Sequence, residues 1–285
     1  LDLPMDPVNQ WAPLIDTSGD AEIFKERYGE PTRANVVRFL VFDPLNLNSI
    51  YSCLRAAREN ARSIRETISS EMWEQINSLY LLVQSTPPET NVESLPEFFH
   101  SIRMGCHLFQ GITDTTMTHG EAWHFLRMGR KLERADKTSR ILDVKYFFLL
   151  PSVRDINTPY DDIHWSAVLK SVSGFEMYRK KHGHLTPPDI VDFMLLDGEF
   201  PRSVRYCIAS SDESLRRITG TPPGSFRYRS EQLAGMLHGE LDFTSVEAVL
   251  SAGLHEFLDD LQSKMNAIDD AIQRDFLSLR AAATA

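Results

Sequence analysis

The chemistry available to this chain is carried by a few carboxylates and a run of arginines. Along residues 124–143, Phe125, Met128, Leu132, Ala135, Ser139 and Leu142 recur at spacings of three and four, which marks one helical stripe. The row one position further on contains Glu133, Asp136, Arg140 and Asp143. Carboxylates beside an apolar stripe are expected to be half-buried, and a buried charge without a partner is costly. They therefore require a cation. A second segment supplies candidates. Arg55, Arg58, Arg62 and Arg65 each follow by one position the apolar residues Leu54, Ala57, Ala61 and Ile64. Glu59 and Glu66 are spaced to pair with this row, and Arg127, Arg130 and Arg134 add positive charge on the 124–143 helix.

Two chemistries fit these residues. In one, Glu59, Glu133 and Asp136 are the acidic members of an interhelical salt-bridge network that fixes helix register. In the other, Arg55, Arg58, Arg62, Arg65, Arg130 and Arg134 hold an anion: a carboxylate, a phosphate or an acidic peptide. A catalytic variant of the second uses Glu59, Glu133 or His124 as an acid–base group in acyl or aminoacyl transfer.

Other sites are less well founded. Glu97–His100 and Glu121–His124 have the Glu-x-x-His spacing of di-iron bundles. They lie 24 residues apart, about 36 Å along a continuous helix, and further bridging carboxylates are not evident, so no metal or other cofactor is expected. No phosphate-binding Gly-rich loop and no Gly-x-Ser-x-Gly elbow occurs. The chain thus carries neither a nucleotide-binding nor a nucleophile motif. Cys53, Cys106 and Cys207 are far apart with no CxxC, which excludes a disulfide scaffold and suits a reducing cytoplasm. Cys53 and Cys207 are read as packed thiols.

The elements that position these residues are helices. With 42% hydrophobic and 25% charged residues the composition is that of a soluble globular protein. A net charge of −10 argues against general nucleic-acid binding, and no apolar run is long enough to cross a membrane. Helices are predicted over 21–28, 32–42, 49–83, 96–110, 121–148, 163–181, 188–196, 202–219, 229–239 and 245–280, with caps at Thr32, at Asn48 or Ser49, and at Thr186. Trp11, Trp165, Phe98-Phe99 and Tyr146–Phe148 read as core anchors. Strand-like alternation is scarce, so the class is all-α.

A repeat runs through this pattern. At a shift of 154 residues, Trp11 meets Trp165, Glu22 Glu176, Gly29 Gly183, Thr32 Thr186, Val37 Val191 and Phe39 Phe193. Asp43 meets Asp197, Ser49 Ser203, Cys53 Cys207, Glu59 Glu213 and Arg62 Arg216. That makes 11 identities over the 52 positions from Trp11 to Arg62, where chance gives about three. The expectation is one helical bundle, residues 1–285, built from two tandem pseudo-symmetric repeats (1–120 and 121–285) packed as one body. Leu3-Pro4 matches Leu150-Pro151, so the counterpart of the 121–148 helix is expected before residue 1.

Several of these segments resemble the Alpha-E family of all-helical bacterial proteins. They are Ala57-Arg58-Glu59-Asn60-Ala61-Arg62 with the Ser49–Cys53 run before it, Gly120-Glu121, Trp123-His124-Phe125 and Gly129-Arg130-Lys131-Leu132-Glu133-Arg134-Ala135-Asp136. The resemblance covers essentially the whole chain. It implies association with a circularly permuted ATP-grasp protein, and hence a role in forming an amide or peptide bond or in handling its product. The expected function is an accessory helical module that binds such a ligase, or an anionic substrate, through the Arg/Glu cluster. The alternatives are an acyl-transferring enzyme and, third, a di-metal protein. Family members usually begin with a second Gly-Arg-x-Leu-Glu-Arg-Ala-Glu helix, which matches the helix expected before residue 1.

Overall fold

The computed structural model describes residues 11–86, 95–148 and 159–278. Leu3-Pro4, Leu150-Pro151 and the side chains of Tyr146–Phe148 lie outside them. The described residues are helical with no strand. No helix among them is long and apolar enough to cross a membrane. They divide into two compact units, with the boundary between Trp123 and His124.

The first unit holds α1 (Ala12–Ser18), α2 (Ala21–Tyr28), α3 (Arg33–Val37, continued by a π-turn through Phe42), α4 (Ile50–Ser63), α5 (Ser70–Ser85) and α6 (Leu95–Thr116). Thr32 and Ser49 cap α3 and α4 as their sequence positions suggest, accepting from Asn35 N and Ser52 N. Ile15, Phe24, Val36 and Phe39 close one apolar cluster, with Trp11 and Tyr28 packed against it. Val41, Phe42, Val83 and Phe98 close a second.

One long helix over 49–83 does not form. Ile64–Ile68 make a turn, and the Ser69 hydroxyl accepts from Met72 N to start α5. The cap competes successfully with helix continuation because Ser69 offers the orphan amides of the new helix a local acceptor. α5 then returns antiparallel along α4, so that residue 51 faces 80 and residue 58 faces 77. The expected apolar stripe of α4 changes accordingly: Ala61 is buried, but Ile64 is 45% exposed. Cys53, read as a packed thiol, is exposed, whereas Cys207 is buried. α6 runs through Gly111, where a break was expected, and ends at Thr116.

The second unit begins inside α7 (Glu121–Phe148). It continues with α8 (Pro159–Ser171), α9 (Phe175–His182), α10 (Pro187–Leu195), α11 (Val204–Thr219), α12 (Arg229–Asp242), α13 (Val246–Ala252) and α14 (Leu254–Ile272, with a π-turn to Leu277). Tyr178, Ile190, Met194, Leu195 and Leu258 are fully buried. Two further helices predicted as continuous are broken. Ser173 (φ 53°) and Gly174 separate α8 from α9, and Gly253 (φ 96°) separates α13 from α14.

Ser173 makes the break through its positive φ, and the packing beside it requires glycine at position 174. A Cβ there would lie 2.9 Å from Cζ of Phe200 and 3.1 Å from Cε1 of Phe193. Those two rings stack at 4.4 Å in the core. Gly174→Ala is expected to destabilise this unit by about 1–3 kcal/mol through forced displacement of packed rings. A thermal melt unchanged from the parent would show that the rings move aside freely.

Contacts in one unit have counterparts in the other at the 154-residue offset. Phe24 meets Phe39 edge-on at 5.2 Å, and Tyr178 meets Phe193 edge-on at 5.5 Å. Gly29 (φ 71°) and Gly183 (φ 75°) both end a helix in a conformation that L side chains rarely adopt. The Ser49 hydroxyl donates to the Asp43 carbonyl, and the Ser203 hydroxyl donates to the Asp197 carbonyl. Asp43 and Asp197 are themselves buried, and each accepts from a cation two helices earlier: Arg27 of α2 and Lys181 of α9.

Candidate anion-binding surfaces

In the first unit the α4–α5 hairpin arranges the predicted arginine row against aromatic rings. The Arg58 guanidinium sits over Tyr80 (4.9 Å to the ring centroid) and near Trp73 (5.7 Å). Its Nε donates to Asn77 Oδ1 at 2.7 Å. Arg55 lies over Tyr51 at 5.7 Å, and Arg65, now in the turn beyond α4, lies over Trp73 at 5.4 Å. Glu59 pairs with Arg58 (3.1 Å) and with Arg62 (2.9 Å). It is the acidic partner of this row among the described ion pairs, and it pairs with two of the four guanidiniums. Arg62, 69% exposed, has no aromatic platform. Tyr80 is held above its usual phenol range, first by its hydrogen bond with Tyr51 and then by burial.

The sequence indicated the row but not its platform. Trp73, Asn77 and Tyr80 are spaced at four and three along α5, and that spacing becomes informative only when the helix is known to reverse at Ile64–Ile68. The row also ends earlier than its spacing suggests, since Arg65 is presented by a turn rather than by the helix.

Cations for the α7 carboxylates come from within the second unit. Glu133 is exposed rather than half-buried, 68% by side chain, and pairs with Lys137 at 3.4 Å. Asp136 is half-buried as its position predicts. It binds Arg140 Nε at 2.9 Å, one turn on, and Lys137 at 3.5 Å. Asp143 pairs with His255 of α14 at 2.9 Å, and this hydrogen bond raises the imidazole above its ordinary range. Arg55, Arg58, Arg62 and Arg65, expected as partners of Glu133 and Asp136, belong to the other compact unit. His124 and Arg130 are half-buried on α7. Arg134, also half-buried, is one turn beyond Arg130.

The buried row of α7 keeps four of the six predicted stripe positions and gains Lys131 and Thr138. Met128, Lys131, Ala135, Thr138, Ser139 and Leu142 are buried, while Phe125 and Leu132 are half-buried. Lys131 was missed because a lysine does not register in an apolar pattern. Its spacing of three from Met128 and four from Ala135 was the available signal.

Elsewhere the chemistry is thinner. No group of three or more His, Cys, Asp or Glu side chains suited to a metal occurs among the described residues. Glu97 and His100 are exposed on α6. The first unit also contains a cavity of about 440 Å³ lined mainly by Trp11, Leu14, Val37, Ile50 and Phe99. Of its polar lining residues, Arg33 is engaged over the Trp11 ring and Asn48 with the Asp20 carboxylate.

These features define an all-helical protein whose distinctive surface chemistry is arginine and glutamate on helices. The chain belongs to the Alpha-E family, described as a predicted alpha-helical domain with a conserved ER motif, whose family model matches residues 1–277. In this chain Glu133-Arg134 is a Glu-Arg pair on α7. Curated relatives are uncharacterized proteins of Mycobacterium bovis and of two strains of Mycobacterium tuberculosis. Each is 22% identical over 253 residues, which is 82% of this chain and 28% of the relative. The chain therefore spans less than a third of the length of the relatives it matches. No solved structure matches it.

Proposed function

We propose that this chain is an accessory helical module that docks onto a circularly permuted ATP-grasp ligase, or onto that ligase's anionic substrate, through arginine-rich helical surfaces. The observation that carries this reading is the α4–α5 face. Of four guanidiniums, three are seated on aromatic rings, and only those of Arg58 and Arg62 pair with a carboxylate, that of Glu59. A guanidinium held on a ring surrenders little side-chain entropy on binding and keeps its in-plane donors for an oxyanion. On a chain of net charge −10 such a patch focuses positive potential. The ligase is the partner implied by the family resemblance, and the three free cysteines accord with a reducing cytoplasm. The two units are tandem copies of one ancestral module, a reading supported by the matched Asp–Ser brackets and aromatic contacts at the 154-residue offset.

Co-purification with the ligase tests the reading. Arg55 and Arg62 are exposed and make few protein contacts. The double variant Arg55→Ala/Arg62→Ala is therefore expected to alter stability by less than about 1 kcal/mol. It is expected to weaken ligase binding at least tenfold. Unchanged binding, with only the melting temperature affected, would assign the row to a purely structural network.

A further inference from the structure

The second unit contains a cluster of positive charge that lacks acidic partners. Lys131 of α7 is only 7% exposed. Its ammonium stands 4.2 Å from the centroid of the Tyr206 ring, and 3.5 Å from the Pro201 carbonyl oxygen. Arg202, half-buried beside Pro201, immediately precedes the Ser203 cap of α11. The Thr138 hydroxyl of α7 donates to the Arg202 carbonyl at 2.9 Å, which pins this segment against α7. Arg134 lies one turn beyond Lys131 on the same helix. Among the described ion pairs, none involves Lys131, Arg134 or Arg202. Arg127, nearby, is already committed to Glu213 and Ser214.

The electrostatics report the same crowding. Burial first, and then Arg134, Arg130 and Arg127, lower the Lys131 ammonium to about 8 against an opposing influence from Cys207. Arg202 is lowered by burial and then by Arg134. The geometry places them together: the Lys131 ammonium lies 3.5 Å from the carbonyl of Pro201, the residue before Arg202, and Arg134 is one turn along the same helix. Burying cations together without a counter-charge is unfavourable, and a bound anion would reverse the sign of that cost. The positive end of α11, a helix of 16 residues, faces the same segment and adds to the attraction.

We propose that Lys131, Arg134 and Arg202 form a phosphate-binding subsite that takes the phosphoryl group of a phosphorylated ligand. Charge decides the class. Three cations exceed what a single carboxylate neutralises, whereas a phosphoryl group carries about −1.5 to −2 near neutral pH and offers three acceptor oxygens. The donor set suits it as well. Two planar guanidinium forks and one ammonium point charge are the usual means of holding phosphate oxygens. The Ser203 hydroxyl is not part of the site, because it is used within the chain by the Asp197 carbonyl and Tyr206 N. This subsite deepens the anion-binding half of the function proposed above and lies in the unit that does not hold the α4 arginine row.

Titration calorimetry of the full chain with inorganic phosphate tests it, with succinate at matched ionic strength as the carboxylate control. Phosphate is expected to bind and succinate to bind at least tenfold more weakly. Lys131→Met keeps the stem and removes the charge, so it relieves repulsion and should fold at least as well as the parent. That variant and Arg202→Gln are each expected to weaken phosphate at least tenfold. Arg134→Gln, at a half-exposed position, provides a further variant that does not disturb the core. Equal phosphate affinity across parent and variants would overturn the proposal, as would succinate bound as tightly as phosphate. Because no ligase is present, failure of the chain to bind a ligase leaves a positive phosphate result standing. A negative phosphate result likewise leaves ligase docking standing.

Discussion

Replacing Glu231 by alanine is expected to destabilise the second unit by about 3–4 kcal/mol. Glu231 is 1% exposed at the start of α12. Its carboxylate accepts from Arg227 N (2.6 Å), from Tyr228 N (2.9 Å) and from the Thr219 hydroxyl at the end of α11. The side chain therefore ties the last residue of one helix to the entry of the next, across a loop that Arg216 also holds through the carbonyls of Pro222 and Ser225. Removing it leaves two backbone donors and one hydroxyl without their acceptor, and each buried donor stranded in this way costs about 1–3 kcal/mol. The melting temperature should fall by roughly 10 °C for a unit of this size. Glu231→Gln should lie between parent and alanine, because one of its two acceptor oxygens is replaced by a donor amide. A loss below about 1 kcal/mol would mean that water replaces the carboxylate without difficulty. The charge also carries a pH signature. Burial alone would raise this carboxyl, but the hydrogen bonds from Thr219 and the two amides prevail and hold it below the usual glutamate range. A carboxylate depressed by folding contributes stability above its unfolded value of about 4.3. That contribution is lost as pH falls through the folded value, so the Glu231→Ala penalty should shrink in acid.

The second large effect is expected at the matched pair Asp43 and Asp197, one in each unit. Asp43 receives Arg27 (2.7 Å), the Tyr28 hydroxyl (3.0 Å) and Leu45 N (2.9 Å). Asp197 receives Lys181 (2.6 Å) and the amides of Glu199 and Phe200, both at 2.7 Å. Both carboxylates are buried, at 4% and 6% exposure. In each case burial opposes ionisation but the donors outweigh it, so both titrate below the ordinary aspartate range. Removing either carboxylate strands the buried donors that it accepts, at about 1–3 kcal/mol each, while the partly exposed Arg27 and Lys181 return to water. Asp197→Ala should fall near 4 kcal/mol and Asp43→Ala nearer 3, because Asp197 satisfies two backbone amides and Asp43 one. By the same sign argument, both contributions are complete above about pH 4 and fade as pH drops through the depressed values. Urea denaturation of each single variant, at neutral pH and in acid, checks both the size and the direction.

Much of the architecture could be read before any coordinates, and particular residues show why. Thr32, Ser49 and Thr186 announced helix starts because capping is a contact between a side chain and an amide three residues away. The span of α7, Glu121–Phe148, followed from a long stretch free of proline with a consistent period. The three helices predicted as continuous but found broken failed for local reasons that compete closely with helix propagation. Ser69 can cap or continue, and Ser173 and Gly253 adopt φ values of 53° and 96° that helical periodicity does not reveal.

The candidate sites divide along the same line. The amino-acid order alone determined the helical class, the family, the caps and the existence of an arginine row, since each is a relation between residues near in sequence. Tertiary structure alone decided what those side chains face. The reversal at Ile64–Ile68 carries Trp73, Asn77 and Tyr80 back beneath Arg58. The packing of α11 against α7 brings Arg202 to Lys131, some 70 residues earlier in the chain. It also turned Lys131 inward and left Glu133 in solvent, because the buried face of a helix is set by the neighbour it packs on and not by hydrophobicity read one residue at a time.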